Sequence, residues 1–147
     1  MDVVAILESS PFFSSLNRRI LWQIAELAQQ KDFQTGDVLI KEGEIGEYCY
    51  IITSGKVEIY RQLNQSNKLL IGQAGAGEIL GELAILDGLP RSANVVALEP
   101  TTTLTISEWD FKAQLQAYPE IALQLLPVIA RRLRQAQEQL GKISQNE

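Results

Sequence analysis

Residues Gly81-Glu82-Leu83-Ala84-Ile85-Leu86-Asp87-Gly88-Leu89-Pro90-Arg91-Ser92-Ala93 decide how this chain is read. A glycine precedes a short run of helix formers, a Gly-Leu-Pro loop follows, and one arginine stands beside two small residues. The start of a helix offers backbone N–H groups without partners and the positive end of a dipole, which together suit an anion. Glu82 at that place is a liability if the ligand is phosphate alone. It becomes useful if the ligand also carries a hydroxyl that donates to a carboxylate. Arg91 is planar, permanently charged and able to grip two phosphate oxygens at once. An acid for a sugar hydroxyl and an arginine for a phosphate describe a nucleotide pocket.

Outward from this stretch the hydrophobic period changes twice. Residues 2–30 read as helical, with Leu16, Ile20, Leu21, Ile24, Leu27 and Ala28 at helical spacing, Ser15 or Asn17 near a start, and a break at Ser9-Ser10-Pro11. From Phe33, the residues Val38, Ile40, Tyr48, Tyr50, Ile52, Val57 and Ile59 alternate with polar or small ones, punctuated by Gly36, Gly43, Gly46 and Gly55. Ser54-Gly55 is a hairpin signal, and Asn64-Gln65-Ser66-Asn67 a turn before a strand at 68–73. Residues 94–98 and 102–106 are rich in β-branched side chains and read as strands. Ser107-Glu108-Trp109-Asp110 has capping-box spacing for a helix through Ala117, where Trp109 and Phe111 are expected to pack. Tyr118-Pro119 breaks that helix, and a last one runs to about residue 140.

Helices, then about eight short strands with one helical insertion, then two helices, give an α+β class built on a β-roll of the jelly-roll or double-stranded β-helix type. A single domain over 1–147 is expected, with the roll at about 32–107 and the closing helices at about 108–140. Gly72, Gly75 and Gly77 match neither a dinucleotide fingerprint nor a Walker A run and read as corners of the roll.

Composition narrows the function. A net charge of −5 argues against a general nucleic-acid surface, so any anion must meet locally concentrated positive charge. With no His and one Cys, imidazole catalysis and most zinc sites are excluded, and no metal spacing is found among Glu44, Glu47 and Glu78. No apolar run approaches the roughly 18 residues that span a bilayer, and the acidic start lacks the basic region of a signal peptide. No membrane partner and a cytoplasmic location are expected, with Cys49 a packed thiol.

The quoted stretch closely resembles the phosphate-binding cassette of cyclic nucleotide-binding domains: Gly-Glu-Leu-Ala, a loop, then Arg, a small residue and Ala. Each element is present, in Gly81, Glu82, Leu83, Ala84, Arg91, Ser92 and Ala93. Residues 41–57 resemble the glycine-punctuated roll of the same domains, and 106–107 with 119–133 the closing helices of the catabolite activator protein branch. The similarity covers roughly residues 5–140. It implies that Glu82 accepts a ribose 2′-hydroxyl, that Arg91 neutralises the cyclic phosphate, and that backbone around Leu83, Ala84 and Ser92 helps hold it. A serine at Ser92 leans toward cAMP over cGMP. Relatives carry a Thr-Ser pair for the base where this chain has Ala136 and Gln137, whose amide can replace that contact. Within the cluster Arg131, Arg132 and Arg134, which alone reads as a solvated face, Arg134 is the one expected to reach a nucleotide.

The last helix carries a seam of Leu126, Ala130, Leu133, Gln137 and Leu140, spaced for either a paired helix or its own roll, while Pro127 is expected to kink it. In the activator branch this helix forms a homodimer. The chain as written ends soon after it, so a helix-turn-helix domain is not expected, and direct transcriptional regulation with it. A stand-alone, non-enzymatic cyclic nucleotide sensor is expected, with no cofactor beyond its ligand, acting through an unknown downstream partner. The alternative keeps the fold as a scaffold, with no nucleotide or with another anionic effector.

Overall fold

The computed structural model describes residues 2–146, with side-chain surroundings through Lys142. Helices α1 (Val3–Ser9) and α2 (Arg18–Leu27) lead into eight strands: β1 (Gln29–Phe33), β2 (Val38–Ile40), β3 (Tyr48–Ser54), β4 (Lys56–Gln62), β5 (Lys68–Gly75), β6 (Ile79–Leu80), β7 (Asn94–Ala97) and β8 (Thr101–Ser107). Helix α3 (Glu82–Asp87) interrupts them, and α4 (Glu108–Ala117) and α5 (Glu120–Asn146) close the fold. The strands form two antiparallel sheets in the orders β1-β8-β3-β6 and β2-β7-β4-β5, the α+β jelly-roll read from the sequence.

Strand β3 shows why two layers form. Its side chains alternate across the sheet, and both faces are apolar. Cys49 and Ile51 enter a cluster with Phe12, Phe13, Ile20, Ile24, Phe111 and Ile121, which binds the helices to one sheet. Tyr50 and Ile52 point the other way, into the roll, beside Phe33, Val57, Leu80 and Val95. Aromatic edges lock the first cluster, with Phe12–Phe13 centroids at 4.9 Å and Phe13–Phe111 at 6.4 Å.

Local signals read in the sequence act as expected. The Asn17 side chain accepts from Ile20 N–H at 2.9 Å, and the Ser107 hydroxyl from Asp110 N–H at 3.1 Å, starting α2 and α4. The Asn64 side chain accepts from the N–H groups of Ser66 and Asn67, forming the turn into β5. Gly55 joins β3 to β4 at φ +100°, a conformation that disfavours any residue with a Cβ.

Three expectations need correction. The helical reading of 2–30 overruns, because Gln29 and Gln30 already belong to β1. That strand has one buried side chain, Phe33, and pairs through its backbone with β8. The buried Thr103 and Thr105 hydroxyls donate to the carbonyls of Lys31 and Gln29 at 2.8 and 3.2 Å. Trp109 does not pack: it is 83% exposed, while Phe111, two residues on, is fully buried. Helix α5 continues past Leu140 to Asn146, and its turns run on both sides of Pro127.

Cys49 offers a test of the inner packing. Burial, and next the negative charge of Glu82, push its thiol from an ordinary 9.0 up to about 12. The folded thiol therefore keeps its proton where the unfolded chain has lost it, so stability should fall as pH rises from 9.0 toward 12. Tyr50 is raised in the same direction, again chiefly by burial. The part of the alkaline loss that disappears in Cys49→Ala, read from urea midpoints, isolates the thiol. An identical pH profile for the two proteins would contradict its burial.

Candidate ligand-binding site

Two glycines define the short helix of the cassette. Gly81 precedes α3 at φ +79°, and Gly88 ends it at φ +70° with its N–H bonded to the Ala84 carbonyl. Ala84 and Ile85 are buried and Leu83 is exposed, while the Glu82 side chain is mostly covered, keeping 15% of its surface. At six residues this helix has little macrodipole to offer. Electrostatic attraction for an anion rests on Arg91.

Arg91 is unusual for its type: only 8% of it is exposed. Its backbone N–H donates to the Glu44 carbonyl at 2.8 Å, and its own carbonyl accepts from Gly43 N–H at 2.9 Å. The guanidinium donates from Nη1 to the Gly81 carbonyl at 3.0 Å and from Nη2 to the Tyr48 carbonyl. Among the described residues no carboxylate oxygen lies within 4.0 Å of it, and every other arginine in an ion pair is more exposed. Desolvation lowers its pKa, yet an arginine begins so high that it stays charged. It is a buried cation held by neutral oxygens.

A cavity of about 140 Å³ opens beside this group inside the roll, lined by Ile40, Ile59, Leu80, Gly81, Arg91, Ser92, Ala93 and Val95. A second, of about 290 Å³, reaches Arg91 past Lys41, Glu44, Gly46 and Tyr50. A larger surface depression of about 710 Å³ lies between Glu47, Tyr48 and α4. Its charges are Glu47, Glu108 and Lys112, with Lys112 bonded to Glu108 at 2.6 Å, so acids outnumber the one cation and the lining disfavours an anion.

The predicted residues divide by position. Gly81, Arg91, Ser92 and Ala93 line the cavity in the roll, with Ser92 exposed and Ala93 half-buried, while Glu82, Leu83 and Ala84 follow Gly81 in the first turn of α3. Arg134 and Gln137 are exposed farther along α5. The α5 residue that reaches the cassette is Arg132, whose Nη1 donates to Glu82 Oε1 at 2.5 Å. The Arg132 guanidinium also lies 5.4 Å from the Phe12 ring centroid. Sequence spacing did not single out Arg132, and neither did it reveal the Tyr48 carbonyl, which any residue would supply.

A β-roll with an acid at the cassette helix and a desolvated arginine at its mouth has the chemistry to suit a small anionic ligand. Residues 30–118 match the cyclic nucleotide-binding domain family, and the chain belongs to it. The family is a regulatory, generally non-catalytic one. The cyclic AMP receptor protein of Thermus thermophilus is 30% identical over 138 residues, covering 94% of this chain and 64% of that protein. The chain thus spans under two thirds of the length of such relatives. The crystal structure of the N-terminal domain of a transcriptional regulator from Streptomyces coelicolor superposes with a TM-score of 0.82 at 30% identity, over 92% of this chain and 94% of that one. The regulatory domain of Toxoplasma gondii PKA, co-crystallised with cAMP, superposes with a TM-score of 0.70 at 30% identity, over 76% of this chain and 42% of that one.

The link between cassette and α5 can be measured without ligand. Arg132 and Glu82 are partly shielded, so a double-mutant cycle with Arg132→Ala and Glu82→Ala should give a coupling of about 1 kcal/mol in urea unfolding. Strict additivity would show that the pair does not hold α5 in solution.

Proposed function

We propose that the protein is a cyclic nucleotide sensor, cAMP before cGMP, and acts by binding rather than catalysis. The observation that carries this reading is Arg91: a buried cation with no carboxylate oxygen within 4.0 Å among the described residues, at the mouth of an apolar roll, with the cassette acid Glu82 paired elsewhere. A buried charge without a counter-charge is costly, and an arriving phosphate relieves that cost. Glu82 accepts the ribose hydroxyl, the backbone around Leu83, Ala84 and Ser92 approaches the phosphate, and Arg134 and Gln137 are placed on the helix that would cover the base. The bound cyclic AMP in the Toxoplasma domain supports the order of bases, as does Ser92.

Glu82 also provides the route to an output. In this structure it is occupied by Arg132 of α5. A ribose hydroxyl arriving at the same carboxylate changes the hold on that helix, and α5 shifts between positions by the difference in ligand affinity for them. Leu126, Leu133 and Leu140 recur every seven residues on α5 and are 58–66% exposed, while Ile121, Leu125 and Val128 turn into the core. The seam therefore faces away from its own roll, which favours a homodimer through α5. No helix among the described residues is long and apolar enough to cross a membrane, in keeping with a cytoplasmic module read by a partner protein.

Calorimetric titration with cAMP and cGMP tests the ligand. Wild type should bind cAMP more tightly, and Arg91→Ala should lose about 1.5–3 kcal/mol, roughly a 10- to 150-fold weakening. Equal affinity in Arg91→Ala would remove the phosphate contact from the mechanism. No heat with either nucleotide would leave the scaffold reading or another anionic effector. Leu133→Glu should convert a sedimenting dimer to monomer, and an unchanged mass would rule out the α5 seam.

A further inference from the structure

We infer that Gly46 is a positioning residue for phosphate capture, because the missing side chain at this position helps make the slot in which the Arg91 guanidinium lies. The inference rests on the reading of Arg91 as the phosphate ligand and adds the element that aims it.

The loop before β3 is fastened to Arg91 by its backbone. Gly43 N–H donates to the Arg91 carbonyl and Arg91 N–H to the Glu44 carbonyl, at 2.9 and 2.8 Å, while Ile45 bridges to Pro90. These bonds press the buried Gly46 against the guanidinium. A Cβ placed on Gly46 would lie 2.1 Å from Arg91 Nε, 2.2 Å from Cζ and 2.6 Å from Nη2. No side chain fits there while the guanidinium stays. A Cβ on Gly81 would likewise lie 2.1 Å from Nη1. The cation is thus confined between two bare α-carbons from separate parts of the chain, with the carbonyls of Tyr48 and Gly81 fixing its rotation. Two of its five N–H donors are spent on those carbonyls and the rest remain for a ligand.

The two glycines differ in one useful respect. Gly81 has φ +79°, so alanine there strains the backbone whatever it touches. Gly46 is not among the glycines of positive φ, and alanine suits its backbone. The atoms that Gly46→Ala would displace belong to the end of a flexible side chain. The fold can therefore yield by moving the guanidinium, at the expense of its two carbonyl bonds and of its aim. Gly46→Ala is accordingly a probe of the orientation of Arg91.

The experiment is a cycle of four proteins: wild type, Gly46→Ala, Arg91→Ala and the double variant. Each is titrated with cAMP and melted without ligand. Gly46→Ala should weaken cAMP binding by about 10-fold or more in wild type and by less than about 2-fold once Arg91 is alanine. Without ligand, Gly46→Ala should lower Tm only in the presence of Arg91, and the Arg91 Nε–H NMR resonance should shift or broaden. An affinity for cAMP within 2-fold of wild type would overturn the inference, as would an equal loss in both backgrounds, which marks a general structural role. If wild type binds no cyclic nucleotide, the functional reading fails by itself. The ligand-free melts and the resonance then decide the slot alone: dependence on Arg91 retains it, and additivity removes it.

Discussion

The structure is organised around a positive charge taken out of water with no carboxylate oxygen within 4.0 Å of it among the described residues. Arg91 keeps 8% of its surface and bonds to carbonyls of Tyr48 and Gly81. Carbonyl dipoles can orient a cation but compensate it only in part, so the burial remains a cost borne by the rest of the fold. The surrounding architecture makes this tolerable. Strand β3 carries apolar residues on both faces, binding the helical cluster and the roll interior into one body that holds the loop 43–48 and the cassette in register. The energy for holding this charge comes from packing elsewhere.

The same economy explains why acid and base are kept apart. Glu82 would be the natural counter-ion for Arg91, yet it is turned to Arg132 on α5. A direct pair between Glu82 and Arg91 would satisfy both and leave a ligand little to gain. Each is instead paired with a different neighbour, Glu82 with a helix and Arg91 with backbone oxygens.

Much of the fold was legible because its signals are local. Asn17, Ser107 and Asn64 act through bonds to residues two or three positions away, and Gly55 through its own backbone conformation, so spacing was enough. The cassette was legible for a related reason: its residues lie within one short stretch. Strand β1 was missed because it is held by backbone pairing to a strand far along the chain, and Gln29 and Gln30 show no apolar alternation. The contact of Arg132 with Glu82 is not legible in the cluster of arginines, because Arg132 and Arg134 point about 200° apart on a helix. Which of them meets Glu82 depends on the rotation of α5, and that is set by Ile121, Leu125 and Val128 in the core. The exposure of Trp109 has the same origin, since a cap fixes where a helix starts and leaves its roll about the axis to tertiary packing.

The pairing of β1 with β8 has a consequence for how the protein comes into being. Gln29 and Thr105 bond across a separation of 76 residues. At a synthesis rate of about 5–20 residues per second, β1 waits about 4–15 s on the ribosome before its partner exists. During that interval it is an unprotected edge, and its composition suits the wait: Gln29, Gln30, Lys31 and Asp32 are polar, and two of them are charged. The strand that carries so little of the hydrophobic core is the one best able to stand alone in the nascent chain.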